Sequence, residues 1–154
     1  MQPAMMSPSM TPFARRVFLL VAVLALGGVA VSSISLYHHY GTSRTAYCDL
    51  GENFNCDIVN RSTYSAIFGV PVALIGVIGY VALLVLATLH RGQDQTPARL
   101  ALASMAGLGF ALYLTYIEGF VLAAWCVLCL SSLALIFCIS VLSSLLWRHH
   151  VRRP

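Results

Sequence analysis

Four stretches without a charged side chain run through this 154-residue chain, at residues 17–36, 66–89, 100–117 and 120–147. Each has 18 or more residues, and a helix needs about 20 to cross a hydrocarbon core of about 30 Å. Lipid offers backbone amides no partner, so such stretches must close their own hydrogen bonds as helices. The expectation is an all-α membrane protein, a four-transmembrane-helix bundle with a long first extracytoplasmic loop. Its membrane domain would cover residues 17–147, between a disordered cytoplasmic N-terminus at 1–16 and a basic cytoplasmic tail at 148–154. The chain is 59% apolar and 9% charged, whereas soluble domains carry about 25% charged residues. A water-soluble enzyme domain and a disordered chain are thereby disfavoured.

The positive charges set the orientation. All nine basic side chains are Arg, and they flank apolar runs rather than covering one face, so no nucleic-acid partner is expected. Arg15, Arg16, Arg91, Arg99, Arg148, Arg152 and Arg153 fall on one side of the predicted topology, and Arg44 and Arg61 on the other. By the positive-inside rule the first set is cytoplasmic. The protein is then a multi-pass protein of the cytoplasmic (inner) membrane with both termini inside and residues 37–65 outside. Arg15-Arg16 before an apolar run also looks like a twin-arginine export signal. That apolar run is longer than a normal signal core and three more spans follow, so an anchor is the better reading.

Four of the five cysteines then gather at the outer membrane face. Cys48 and Cys56 lie in the long loop, and Cys126 and Cys129 near the start of the last span. About 32 Å of helix separates Cys126 from the inner-interface Trp147, which puts Cys126 at the outer edge of the core. Cys129 is one turn deeper on the same face. Cys138 is about 18 Å below Cys126, out of reach of the loop pair, and is read as a packing residue. The exterior is the oxidising side, where disulfides persist. Cys126-Val127-Leu128-Cys129 has the spacing of a redox dithiol, and a helix N-terminus there is expected to lower its thiol pKa. With no His or carboxylate flanking the pair, activation would fall to the helix end. Structural disulfides, a four-thiolate zinc site and chance pairing are the alternatives. A bridge within CxxC closes too small a loop to stabilise much, and eight-residue spacing in an oxidising exterior suits zinc poorly.

In order, spacing and topology these residues resemble the vitamin K epoxide reductase family. The resemblance rests on Cys48-Asp49-Leu50-Gly51, Cys56-Asp57-Ile58-Val59, Ser62-Thr63-Tyr64-Ser65, Gly69-Val70-Pro71, Tyr113-Leu114-Thr115-Tyr116-Ile117-Glu118 and Trp125-Cys126-Val127-Leu128-Cys129. It covers about residues 17–147. It implies a quinone-dependent membrane thiol-disulfide oxidoreductase that oxidises a thioredoxin-like (DsbA-like) exported partner and reduces ubiquinone or menaquinone. Disulfide formation in exported proteins would depend on it. By the same resemblance Cys48 meets the partner, Cys56 relays to Cys126, and Cys129 lies against the quinone. The chain ends at Pro154 without the fused thioredoxin-like domain of some relatives, so the partner is expected to be separate. Leu133 stands where the animal enzymes carry Tyr, so quinone rather than an epoxide is the expected acceptor.

A quinone needs a flat apolar slot beside the CxxC with one or two donors. Ser62, which matches a family position, is a candidate contact together with Phe68, Tyr113 and Tyr116; Phe120 is a further aromatic nearby. An interfacial aromatic belt is the competing reading of the rings. Glu118, the one acid at a span boundary, is expected at the solvent-accessible outer edge, with proton handling as its alternative role. His38 and His39 are read as interfacial. A small four-helix transporter would want a deeply buried acid in a helix, and a structural membrane protein would show no cysteine responding to quinone supply. A Dsb-type oxidase of other topology would carry its CxxC in the first loop.

Overall fold

A computed structural model describes residues 10–41, 51 and 53–152. Cys48 lies outside the described residues, as do Arg44, Asp49, Glu52 and Arg153. Among the described residues there are five α-helices: α1 (Pro12–Tyr40), the short α2 (Cys56–Asn60), α3 (Val72–Thr88), α4 (Thr96–Ile117) and α5 (Val127–Val151). A 3-10 turn (Thr63–Ser65) and a two-stranded hairpin, β1 (Ala66–Ile67) and β2 (Val70–Pro71), link α2 to α3. The architecture is that of an all-α membrane protein. Among the described residues, three helical stretches are long and apolar enough to cross a membrane: α1, Thr96–Leu122 and α5. α3 is apolar but has 17 residues, at the short end of the roughly 17–25 that spanning helices use.

Local chemistry sets where the helices start, and it moves three of the expected limits. Thr11 caps α1, its side chain accepting the Ala14 N–H at 3.3 Å, and Pro12 occupies the first helical position. Proline there loses only an N–H that has no helical partner anyway. The helix thus begins inside the segment expected to be disordered. Residues 66–71, expected to open the second span, form the hairpin instead. Phe68 and Gly69 both take positive φ, 52° and 81°, the signature of a two-residue turn that matches strand twist, and Pro71 then starts α3. The last span does not begin at residue 120. α4 runs on through a π-helical turn, Glu118–Leu122, and Ala123 ends it in the left-handed region at φ 50°. Only after an extended connection does α5 begin, with Cys126 as its N-cap.

α1 packs along α3 and α5, and α4 along α5, whereas α3 and α4 meet only loosely. The buried core runs from Val17, Phe18 and Val21 of α1 through Tyr80 and Leu83 of α3 to Leu100 of α4 and Ile136, Ile139 and Leu146 of α5. The outward faces are apolar too: Leu19, Leu20, Val23, Leu102, Met105 and Phe137 are exposed. Such surface suits lipid and would aggregate in water. Cys138 is on this outer face rather than packed inside.

The bundle has two chemically different ends. The start of α1 meets the end of α5, with the rings of Phe13 and His149 4.9 Å apart. The described arginines other than Arg61 lie near this end. The opposite end carries α2, the hairpin and the π-turn. There Ser35 Oγ donates to Asn60 Oδ1 at 2.8 Å, His39 Nδ1 contacts the Asn60 carbonyl, and Arg61 donates to the carbonyl of Gly41. His38, expected at an interface, is 1% exposed.

Candidate active site

Cys56 meets the sequence-distant pair Cys126 and Cys129 at this end. Asn55 caps α2, its side-chain oxygen accepting the N–H groups of Asp57 (3.0 Å) and Ile58 (3.1 Å). Cys56 is therefore held at the first position of a defined turn. Residues 53–55 run alongside the connection before α5. Trp125 N–H donates to the Asn53 carbonyl at 2.9 Å, and Asn55 N–H donates to the Trp125 carbonyl at 3.1 Å. This latch pins Cys56 beside Cys126. Both are 0% exposed, in a small cluster with Val59, Ala124 and Leu128. The Cys126 thiol hydrogen-bonds with both Cys56 and Cys129.

The π-turn brings in a carboxylate. Glu118, expected at the solvent edge, is 2% exposed. Its Oε2 accepts the backbone N–H of Cys126 at 3.1 Å, and the Cys129 thiol interacts with the same carboxylate. Oε1 is buried with no hydrogen-bond partner. An α-helical turn would carry residue 118 around at about 100° per residue, whereas the wider turn and the reversal at Ala123 fold it back over the start of α5. The CxxC pair thus has a carboxylate neighbour, which the sequence reading did not give it. The Cys126 thiol is also not lowered by the helix end. Its bond to Cys129 and its burial hold it above the ordinary thiol range, because both favour the neutral form over a thiolate.

Cys129 faces the other way, onto a cavity of about 390 Å³ that opens among α1, α3, α4 and α5. The walls are mostly apolar, including Val31, Leu83, Phe110 and Leu114. The polar lining includes Ser35, Asn60, Ser62, Tyr80 and Glu118. Tyr80 is fixed, its hydroxyl donating to the Ser132 carbonyl at 2.8 Å. Asn60 is not fully satisfied: Ser35 holds its Oδ1, but Nδ2 is buried without a partner. A buried donor left unpaired costs about 1–3 kcal/mol, which a carbonyl in the cavity would relieve. A flat ring with carbonyl oxygens fits this apolar slot and its one waiting amide donor.

The sequence-selected residues divide accordingly. Cys56, Cys126 and Cys129 come together, and Ser62 reaches the cavity wall. Phe68, at the hairpin tip, is fully exposed, and Tyr113 and Tyr116 are 55% and 59% exposed. None of the three lines this cavity. Phe68 is turned out by its positive-φ backbone. Tyr113 and Tyr116 share the outer face of α4, with Tyr116 stacked on the equally exposed Phe120, ring centroids 4.9 Å apart. That is where an interfacial aromatic belt would lie. Asn60 and Tyr80 were not selected; Tyr80 carries the signal of a hydroxyl within an apolar run, whereas Asn60 sits in a polar loop beside Arg61 and Ser62 and has none.

Among models of protein families, that of the vitamin K epoxide reductase family matches residues 19–144, nearly the whole chain.

Proposed function

Because the chain belongs to the vitamin K epoxide reductase family, we propose that it is a quinone-dependent enzyme that makes disulfides for exported proteins. Family membership makes it a membrane oxidoreductase. The single observation that carries the finer reading is the run of contacts from Cys56 through Cys126 to Cys129, ending at an apolar cavity.

In this reading a thioredoxin-like partner hands electrons to Cys48, and the loop pair Cys48–Cys56 becomes a dithiol. The Cys56 sulfur attacks the Cys126–Cys129 disulfide at Cys126 and frees the Cys129 thiol at the cavity; Cys48 then attacks Cys56, which restores the loop disulfide and releases Cys126 as the second thiol. Such exchange needs attacking and leaving sulfurs in line and in contact, and the Cys56–Cys126–Cys129 contacts favour that order. A quinone, ubiquinone or menaquinone, is the terminal acceptor of two electrons and two protons. The apolar walls would hold its ring, and Asn60 Nδ2 would donate to a carbonyl oxygen. Burial of Cys56 and Cys126 keeps water and stray thiols from the exchange. The accumulation of Arg at the end remote from the cysteines favours four spans in the cytoplasmic membrane with both termini inside. The sulfurs are then on the extracytoplasmic side.

The test is a trap. In membranes, Cys48→Ala is expected to accumulate a Cys56–Cys126 bridge, mapped by mass spectrometry, because Cys56 then has no partner in the loop to release it. Finding Cys126 bonded only to Cys129, whatever the quinone supply, would defeat the relay.

The amide of Asn60 provides a second, independent check. Asn60→Leu is expected to raise the KM for a short-chain ubiquinone roughly tenfold, since a hydrogen bond to a buried acceptor is lost at about 1–3 kcal/mol. The turnover number should change little. An unchanged KM would remove Asn60 from the quinone site.

A further inference from the structure

Oxidation of the Cys126–Cys129 dithiol leaves a proton problem. Two S–H bonds break and one S–S bond forms, while two electrons and two protons pass to the acceptor, on which two O–H bonds form. Cys126 is fully buried and Cys129 faces the mostly apolar cavity, so a proton leaving either sulfur is best served by a carrier inside the protein. The partners of the two thiols are each other, Cys56 and Glu118. Of these, Glu118 alone is a base that can hold a proton and let it go without being oxidised.

Resting on the quinone reading above, we propose that Glu118 is a catalytic residue: its carboxylate takes the proton of Cys129 and delivers it to the acceptor oxygen in the cavity. The geometry divides the two oxygens between two tasks. Oε2 is anchored by the Cys126 N–H at 3.1 Å, which fixes the carboxylate against the start of α5. Oε1 is buried without a partner, and Glu118 lines the same cavity as Cys129. A structural carboxylate buried at 2% exposure would be expected to satisfy both oxygens. One left open beside a reacting thiol and a ligand cavity is placed for transfer. As Cys129 gives up its electrons, its proton moves to Glu118 and then to the acceptor. The Cys126 proton follows the same path when its sulfur bonds to Cys129.

The groups around Glu118 leave it this task. Cys126 and Cys129 face it from α5, and Cys56 stands behind them on α2. His39 of α1, Tyr64 before the hairpin and Tyr80 of α3 stand on the cavity wall. His39 is engaged with the Asn60 carbonyl and Tyr80 with Ser132. Asp57, the neighbouring carboxylate on α2, is only partly buried.

The experiment is the pH profile of short-chain ubiquinone reduction by the full chain in lipid, with wild type, Glu118→Gln and Glu118→Asp compared. Gln keeps an oxygen for the Cys126 N–H but cannot take a proton. Its rate near neutral pH is expected to fall roughly 100-fold, the lower range for losing a positioned general base. The deficit should shrink as pH rises, because the thiols then ionise without help. Wild type should instead lose rate as pH falls through the range where a carboxylate protonates, a limb that E118Q lacks and E118D keeps. Exchange between Cys56 and Cys126 should survive in both variants, which shows that they fold. The proposal is overturned if E118Q matches wild type, if its loss is the same at every pH, or if E118D lacks the acid limb. A wild-type chain that reduces no quinone would sink the parent reading, and this proposal with it.

Discussion

Replacing Cys129 by Ala is expected to take quinone reduction down to the uncatalysed background. Cys129 is the one cysteine of the cluster on the cavity wall, while Cys56 and Cys126 are sealed behind it at 0% exposure. In the proposed sequence every electron pair leaves through this sulfur, and no neighbour can substitute. Cys138 lies on the outer face of α5, so Cys138→Ser should be silent. The lesion should also have a positive signature. Cys126 without Cys129 has no neighbour in its own motif to close onto, so mass spectrometry should find Cys126 as a free thiol or bridged to Cys56. Membranes carrying Cys129→Ala that still reduce quinone at more than background would discard the cavity as the site of reduction. The contact order Cys56, Cys126, Cys129 would then describe only a structural cluster.

The second large effect is on stability and concerns two adjacent glycines of α1. A Cβ on Gly28 would stand 2.2 Å from the Tyr80 ring, whereas one on Gly27 would meet only Leu135 methyls at 3.8 Å. The first is a collision and the second an ordinary contact. The Tyr80 ring cannot swing away freely, since its hydroxyl donates to the Ser132 carbonyl at 2.8 Å and the ring is packed in the core. Gly28→Ala is therefore expected to destabilise by about 1–3 kcal/mol, the usual cost of overpacking. Gly27→Ala should stay within about 0.5 kcal/mol of wild type, as surface changes do. Thermal unfolding in detergent measures both. Equal melting temperatures for the two variants would mean that α1 and α3 are not packed through Gly28. Because Tyr80 also lines the cavity, Gly28→Ala should weaken quinone binding as well, and Gly27→Ala should not.

The apolar runs and the arginines between them were enough to read an all-α membrane protein, because burial in lipid leaves a backbone no other choice. The cysteine spacing was enough to single out Cys56, Cys126 and Cys129, which the fold brings together, because a thiol's chemistry is written into side-chain type. The aromatic rings were a different matter. Phe68, Tyr113 and Tyr116 were selected because they lie near the outer ends of their predicted helices, yet Phe68 falls in the hairpin turn, and which side of a helix faces inward cannot be read where both sides are apolar. In lipid the outward face carries Leu19 or Phe137 as readily as the inward face carries Leu83, so the periodic contrast that marks a soluble helix is missing.

What the sequence by itself determined is the kind of protein and the side chains available to it: apolar length dictates helices, and the CxxC spacing puts Cys126 and Cys129 one helical turn apart wherever their helix sits. Only the tertiary structure decided how that chemistry is connected. The latch between residues 53–55 and Trp125 brings Cys56 to Cys126 across about 70 residues of chain, a long-range pairing with no local signal. The π-turn and the left-handed Ala123 swing Glu118 from an expected surface position onto the CxxC. Both depend on backbone geometry at a few residues outside the regular helices, where side-chain pattern says least and packing of the surrounding helices selects one conformation.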